Sequence, residues 1–379
     1  MNDRDDDDLD RIAAELESMR FDAPTTGTSR LEAWLRVVAE RGASDLLLLP
    51  GEPPALRING RIVRTDAQVV DGADVEEMVR PELPPHAQRA YRDHGIADAA
   101  RRVTGVGRFR INLHRERGRA AATIRMLPAK VPSFASLELP PGTELLARLP
   151  RGLVLIGGAT GSGKTTTLAA LVDDINRREA KHIMTIEDPI EYEHTNQQSV
   201  VQQVEIGVDA PDFPTALRSA LRQAPDVIVV GEMRDPETMQ IALAAGETGH
   251  LVLSTLHTTD VPSTIARLTD SFPSERQPTI RQEVAAALSA VLVQTLMTRR
   301  GGGRIPAADL LMVGYGARQH IRRNALQHLH QEITISRKQG SFTLEECLAR
   351  LVKSGLVERS EAALRVNHRE DFEHALGTG

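Results

Sequence analysis

The hydrophobic pattern of the chain changes near residue 150. Before that point, apolar residues between 31 and 38 recur at helical spacing and predict a helix that begins at Arg30. Alternating runs on both sides of Asn59-Gly60 predict a β-hairpin. Further strands are predicted at 107–115 and 120–127. Together these elements predict a small α+β domain over residues 29–127.

After residue 150 the apolar runs become continuous. Buried strands are predicted at 152–157, 182–186, 227–230 and 250–254, with helical segments between them. Alternating strands and helices indicate a parallel sheet covered on both faces, in an α/β domain over residues 151–379. The apolar run Val284–Met297 is interpreted as a buried helix, and the chain after it as mostly helical. The proline-rich stretch 128–150 is predicted to be the interdomain linker.

Composition narrows the classes of function. Residues 1–28 combine an acidic run with a small polar segment and are interpreted as a tail and linker. The net charge of −6 argues against a dominant nucleic-acid-binding role, so no nucleic acid partner is expected. The single cysteine, Cys347, excludes an intrachain disulfide and any multi-cysteine zinc site. Because no apolar run reaches the length of a membrane span, we expect a cytoplasmic protein that contacts membranes only through partners.

The strongest chemical signal is a glycine-rich segment that matches G-x-x-x-x-G-K-[ST]. It follows a predicted strand and begins a predicted helix, where backbone N–H groups can surround phosphate oxygens. Lys164 is expected to reach the β- and γ-phosphates of ATP, and the Thr165 hydroxyl to hold Mg²⁺. The predicted nucleotide-binding residues are Gly158, Ala159, Thr160, Gly161, Ser162, Gly163, Lys164, Thr165 and Thr166.

Acidic residues follow two other predicted strands. Glu232 follows the strand 227–230 at its carboxyl end, where it is expected to polarise the attacking water. Gly231 stands where many P-loop enzymes have the magnesium-binding Asp. Glu187, at the end of the strand 182–186, is therefore predicted to supply the Mg²⁺ contact, while its neighbour Asp188 is given only a role in the turn.

Two histidines flank the strand 250–254. His257, at the carboxyl end, is predicted to sense the γ-phosphate, whereas for His250 a structural role and a functional one stay open. The segment Arg234–Glu237 is either part of the site or an ion-pair network that orders its turn.

Taken together, these four motifs resemble the secretion ATPase superfamily of type II and type IV secretion and type IV pilus systems, most closely its PilT-like retraction ATPases. The order and spacing of the motifs are similar, and the segment 221–235 resembles the superfamily's signature. The resemblance implies a RecA-like P-loop domain behind an N-terminal PAS-like domain. It implies a Mg-dependent, homo-hexameric motor for pilus retraction and twitching motility that works through an inner-membrane platform protein, with a paralogous ATPase as a further partner.

The resemblance also implies that arginines of the small domain reach the nucleotide. Arg108, Arg110 and Arg125 are the candidates for stabilising charge on the transferring phosphoryl group, and Arg218 and Arg222 are further ones. The lack of a four-cysteine zinc module favours the retraction branch. The segment Ala317–Arg323 departs from that branch's signature, although Arg318 and Arg322 keep their i, i+4 spacing.

Three alternatives stay open at this point. The chain is also compatible with an ATPase of a type IV secretion or related assembly system, which shares the motor but moves another cargo. A non-hydrolysing regulator of such a motor is disfavoured because Lys164, Thr165 and Glu232 are all present. A DNA-translocating ATPase is disfavoured by the acidic charge balance.

Overall fold

The computed structural model describes residues 29–377, and the predicted acidic tail lies outside them. The chain divides after Ala129 into two compact units. Within residues 29–377, no helix combines the length and apolar character needed to cross a membrane.

The first unit is built on a six-stranded antiparallel sheet. Its strands are β1 (Asp45–Leu48), β2 (Ala55–Ile58), β3 (Arg61–Arg64), β4 (Ala97–Val103), β5 (Gly107–Glu116) and β6 (Arg119–Met126). Their order is β3-β2-β1-β6-β5-β4. The predicted hairpin is confirmed: β2 and β3 pair around Asn59 and Gly60, whose φ angles of 49° and 81° suit a tight two-residue turn.

Three helices cover one face of this sheet. They are α1 (Arg30–Glu40), α2 (Gly72–Val79) and α3 (Pro85–His94). Leu31 and Leu35 of α1 are fully buried in the same core as Leu46 and Ile124 of the sheet. Since successive residues of a strand point to opposite faces, the alternate, polar residues of the strands share the other face.

The second unit is built on a seven-stranded sheet. Its strands are β7 (Gly152–Gly157), β8 (His182–Glu187), β9 (Val200–Glu205), β10 (Val227–Val230), β11 (Leu251–Leu256), β12 (Leu288–Thr298) and β13 (Arg304–Met312), in the order β13-β12-β7-β11-β10-β8-β9. Neighbouring strands are parallel except for β12 and β13. The helices between these strands are α4 (Lys164–Arg178), α5 (Phe213–Ala220), α6 (Pro236–Glu247), α7 (Val261–Asp270) and α8 (Gln277–Ala287).

The predicted helix over Val284–Met297 is wrong beyond Ala287. There α8 ends, and β12 continues between β7 and β13. A strand buried on both faces has a continuous apolar sequence, so its periodicity does not distinguish it from a buried helix. Because this run is assigned to a helix, β13 is not predicted from the sequence either.

The chain after β13 is helical, as predicted. It forms α9 (Tyr315–Arg322), α10 (Leu329–Ile335), α11 (Leu344–Lys353), α12 (Arg359–Ala363) and α13 (Arg369–Leu376). A separate apolar cluster forms around α11 and α13 and includes Phe372 and the 1% exposed Cys347. The segment predicted as a linker belongs from Lys130 onward to the second unit, because Leu146 and Ala147 are buried in its core.

Candidate nucleotide-binding site

The glycine-rich loop connects β7 to α4 at the carboxyl edge of the parallel sheet. Gly158 and Gly163 have φ angles of 151° and 90°, a region that disfavours other residues. A Cβ atom at Gly158 would lie 2.5 Å from the Gln294 carbonyl oxygen, and one at Gly163 would lie 2.8 Å from Gln294 Nε2. Both glycines are therefore required by the backbone and by close packing against β12.

Lys164 is folded into this loop. Its side chain is 7% exposed, and Nζ donates hydrogen bonds to the carbonyl oxygens of Gly158 at 2.8 Å and Ala159 at 3.0 Å. Burial lowers the pKa of Lys164, while the charges of Glu232 and Glu191 act in the opposite direction. The buried ammonium group thus provides a concentrated positive charge within the loop.

Gln294 fixes the loop from the neighbouring strand, a role that the sequence did not reveal. Its Nε2 donates to the Ser162 carbonyl oxygen at 2.7 Å, and its Oε1 accepts a 2.7 Å bond from Thr167 Oγ1. The side chain is 4% exposed. The only sequence signal was a polar residue within an apolar run, and without the strand assignment it did not point to the loop.

Glu232 and His257 lie together at the edge of the sheet. Glu232 follows β10 and His257 follows β11, and these strands are parallel neighbours. His257 Nε2 lies 3.4 Å from Glu232 Oε2, and its Nδ1 lies 3.5 Å from Thr160 Oγ1. Glu232 also forms an ion pair with Arg234. The imidazole therefore bridges the carboxylate and the phosphate loop.

Glu187 ends β8, next to Gly231. Glu187 Oε1 accepts hydrogen bonds from Thr185 Oγ1 at 2.7 Å and from Gln203 Nε2 at 3.2 Å. Burial raises the pKa of Glu187. A Cβ atom at Gly231 would lie 3.3 Å from the Ile186 carbonyl oxygen and 3.7 Å from Glu187 Cγ. A carboxylate from β8 thus lies directly beside the position where β10 lacks a side chain.

Four other candidate residues make structural contacts. His250 precedes β11 at the opposite edge, and its Nδ1 lies 3.2 Å from the Ala245 carbonyl oxygen. Asp235 caps α6 by accepting from Thr238 N at 2.8 Å. Arg218 forms an ion pair with Glu237. Arg318 donates to the carbonyl oxygens of the last turn of α8.

The three candidate arginines of the first unit share one face of its sheet. Arg110 and Arg125 are directly paired across β5 and β6, and Arg108 lies two residues from Arg110 on the same strand. Arg125 Nε lies 2.8 Å from Asp45 Oδ1, and Arg110 lies 3.5 Å from Asp98 Oδ1. The structure thus groups the three residues on the polar face.

Comparison with known proteins places this arrangement in a family. The family model for type II/IV secretion system proteins matches residues 123–365. The chain belongs to this type II/IV secretion system protein family. The assignment confirms the resemblance drawn from the motifs.

Individual family members are similar over most of their length. The type IV pilus retraction ATPase PilT of Pseudomonas aeruginosa is 39% identical over 334 residues, which are 88% of this chain and 97% of that protein. A crystal structure of the pilus retraction motor PilT with bound ADP aligns with a TM-score of 0.83 at 39% identity, covering 92% of this chain and 99% of that one. The Legionella pneumophila ATPase DotB aligns with a TM-score of 0.78 at 25% identity, covering 90% and 97%. These relatives of the chain are ATPases.

Proposed function

We propose that this protein is a Mg-dependent ATPase motor that powers type IV pilus retraction and twitching motility. The observation that carries the proposal is the contact of Glu232 with His257 beside the phosphate loop, at 3.4 Å. This contact supports a role for Glu232 as general base, because Glu232 follows β10 at the edge where open α/β sheets bind their ligands. The similarity to PilT over 97% of that protein's length supports a type IV pilus as the structure on which the motor acts.

The residues of the site bind two groups, the phosphates of ATP and Mg²⁺. Lys164 and the backbone amides of the loop, including those of Gly161 and Gly163, hold the phosphates of ATP. Thr165, at the start of α4, and Glu187 fit as Mg²⁺ ligands, since both offer the oxygen atoms that this ion prefers. Mg²⁺ neutralises charge on the phosphate oxygens when it is bound.

Glu232 orients and polarises the attacking water, and His257 holds the Glu232 carboxylate while contacting Thr160. In this arrangement His257 connects the general base to the loop that carries the phosphates. Loss of the γ-phosphate would then change side-chain contacts at the end of β11 as well as in the loop, and this change is the first step of a conformational change.

At the level of assembly, we propose a homo-hexamer whose first unit is PAS-like and whose second unit is RecA-like. Arg108, Arg110 and Arg125 supply positive charge to the transferring phosphoryl group in the assembled motor. Their common sheet face supports this proposal, because it allows the three guanidinium groups to act on one site. The motor acts at the inner membrane on a platform protein of the pilus machine, with a paralogous ATPase as a further partner.

The decisive experiment measures steady-state ATP hydrolysis with Mg²⁺, together with oligomeric mass, for wild type and Glu232→Gln. The variant should assemble and bind ATP but lose about 100-fold or more in turnover. Glu247→Gln is the matched control, since Glu247 ends α6 at the opposite edge of the sheet. A wild-type protein that binds ATP and never hydrolyses it would instead support the regulatory alternative.

A second candidate is an ATPase of a type IV secretion or related assembly system. The close structural match to DotB favours it, as does the divergent segment Ala317–Arg323. Deletion of the gene should abolish twitching motility if the protein retracts pili. Loss of secretion with normal motility would select the second candidate.

A further inference from the structure

A second cluster of ionisable side chains lies among the C-terminal helices, on residues that the nucleotide site does not use. His330 belongs to α10, His368 immediately precedes α13, and Asp371 lies in the first turn of α13. One possible ligand atom from each of the three residues lies within 4.8 Å of the others. Two elements separated by 30 or more residues of sequence thus bring three potential metal ligands together.

The contacts within this cluster are close. His330 Nε2 lies 2.8 Å from Asp371 Oδ2, and the rings of His330 and His368 have centroids 3.8 Å apart with a tilt of 31°. Around a tetrahedral ion with ligand distances of about 2.1 Å, neighbouring ligand atoms are about 3.4 Å apart. The possible ligand atoms, all within 4.8 Å of one another, thus differ from that spacing by at most about 1.4 Å.

The surroundings of the cluster favour a cation. A cavity of about 190 Å³ adjoins His330 and His368, and among the described residues that line it are three acidic side chains and no lysine or arginine. The Oδ1 atom of one of them, Asp309, is buried and has no hydrogen-bond partner. An uncompensated buried oxygen of this kind is costly unless a cation or a donor approaches it.

The segment that carries His368 is also held in place. Glu345, which is 2% exposed, accepts hydrogen bonds from the backbone N–H groups of Asn367 and His368, both at 3.0 Å, through Oε1. Ordered ligands bind metal more tightly because less conformational entropy is lost on binding. Glu345 is thus a positioning residue for the cluster.

We propose that His330, His368 and Asp371 form a binding site for a divalent transition-metal ion such as Zn²⁺. Two imidazole nitrogens and one carboxylate oxygen are ligands that this ion prefers, and three protein ligands leave a tetrahedral position for water. The bound ion joins α10 to α13 and so stabilises the C-terminal helices. This site is independent of the motor function proposed above.

The test uses the full-length, metal-stripped protein without nucleotide and with Zn²⁺ as the probe. Calorimetry should show one Zn²⁺ per chain at this site, and the metal should raise the melting temperature. His330→Ala and His368→Ala should each weaken Zn²⁺ binding by at least about tenfold and reduce the thermal shift accordingly. His320→Ala is the matched control, because His320 also contacts a carboxylate, Glu332, and lies near a second histidine.

The control variant should bind Zn²⁺ like wild type. Each ligand variant is first required to match the metal-free melting temperature of wild type, so that a folding defect is not mistaken for a lost ligand. If a ligand variant does not meet this requirement, Asp371→Asn replaces it, and this variant and wild type are both loaded with Co²⁺. A visible spectrum that differs between the two Co²⁺ proteins supports the site. Unchanged affinity in the ligand variants, or an equal loss in His320→Ala, would overturn the proposal.

Discussion

Thr167 and Gln294 are joined by a 2.7 Å hydrogen bond that ties the first turn of α4 to β12. The same Gln294 amide group holds the Ser162 carbonyl oxygen of the phosphate loop. The loop therefore depends on its adjacent strand as well as on its own glycines. Removing this contact changes the support of the loop without changing a side chain that is assigned to the chemistry.

Gln294→Ala is expected to weaken nucleotide binding by about tenfold and to lower the free energy of unfolding by about 2 kcal/mol. It leaves the buried Ser162 carbonyl without a partner and the Thr167 hydroxyl without its acceptor. Titration with a fluorescent ATP analogue and chemical denaturation would measure both effects. Gln202→Ala, at an exposed position on β9, is the matched control and should change neither value.

The two histidines that flank β11 should behave in opposite ways. His257→Ala removes a 53% exposed side chain that contacts Glu232, so turnover should fall at least about tenfold with stability changed by no more than about 0.5 kcal/mol. His250→Ala removes a contact with the Ala245 carbonyl, so stability should fall by about 1 kcal/mol with normal turnover. Hydrolysis rates and thermal melts of both variants test this. Equal turnover in the two would contradict the role given to His257.

Gly231→Asp should impair the protein although many P-loop enzymes have an aspartate there. Its Cβ would crowd the Ile186 carbonyl oxygen at 3.3 Å, and its carboxylate would lie near Glu187. Repulsion between the two carboxylates would raise the pKa of Glu187 further, as burial already does. We expect a loss of about 1 to 3 kcal/mol in stability and a higher Mg²⁺ requirement.

Gly231→Ala separates the two causes of that defect, because it adds the Cβ atom without the charge. It should reproduce part of the loss in stability and leave the Mg²⁺ requirement unchanged. A Gly231→Asp variant that needs less Mg²⁺ than wild type would contradict the predicted repulsion between the two carboxylates. Rates measured across a range of Mg²⁺ concentrations distinguish these results.

Asp309 should make stability depend on pH. Burial raises its pKa from 3.8 to about 8, and the nearby charges of Glu345, Asp260 and Glu346 act in the same direction. A hydrogen bond from the Leu344 backbone acts in the opposite direction. Between about pH 4 and pH 8, the Asp309 carboxyl group is therefore ionised in the unfolded chain and protonated in the folded protein. The free energy of unfolding should therefore decrease as pH rises from about 4 to 8, by at most about 1.4 kcal/mol per pH unit.

Asp309→Asn carries no titrating proton, so its pH slope over this range should be shallower than that of wild type. Denaturation at several pH values in the presence of a chelator measures the slope without any contribution from bound metal. Identical slopes for the two proteins would show that Asp309 ionises normally in the folded state. The variant should also be the more stable of the two near pH 8.

The sequence predicts the phosphate loop and its flanking elements well because their constraints are local. Glycine conformation, a strand before the loop and a helix after it are all visible in the segment 152–178. The same is true of the hairpin at Asn59-Gly60. The common edge position of Glu232, Glu187 and His257 is predictable because each lies at the end of a short apolar strand, and parallel strands end at the same edge.

What the sequence does not reveal depends on long-range packing. The strand β12 is apolar throughout because other strands cover it, so it has no periodicity of its own. With β12 assigned as a helix, Gln294 had no visible connection to the loop. Likewise, Arg318 keeps a family-like spacing on α9, but its contact with the end of α8 appears only in three dimensions.

Cys347 has a practical consequence for following motion in this protein. It is the only cysteine of the chain, it is 1% exposed, and burial raises the pKa of its thiol. Because the thiolate is the reactive form, labelling reagents should modify it slowly. A cysteine introduced at an exposed position would then carry a fluorophore or spin label alone, so distances within a working motor become measurable without first removing a native residue.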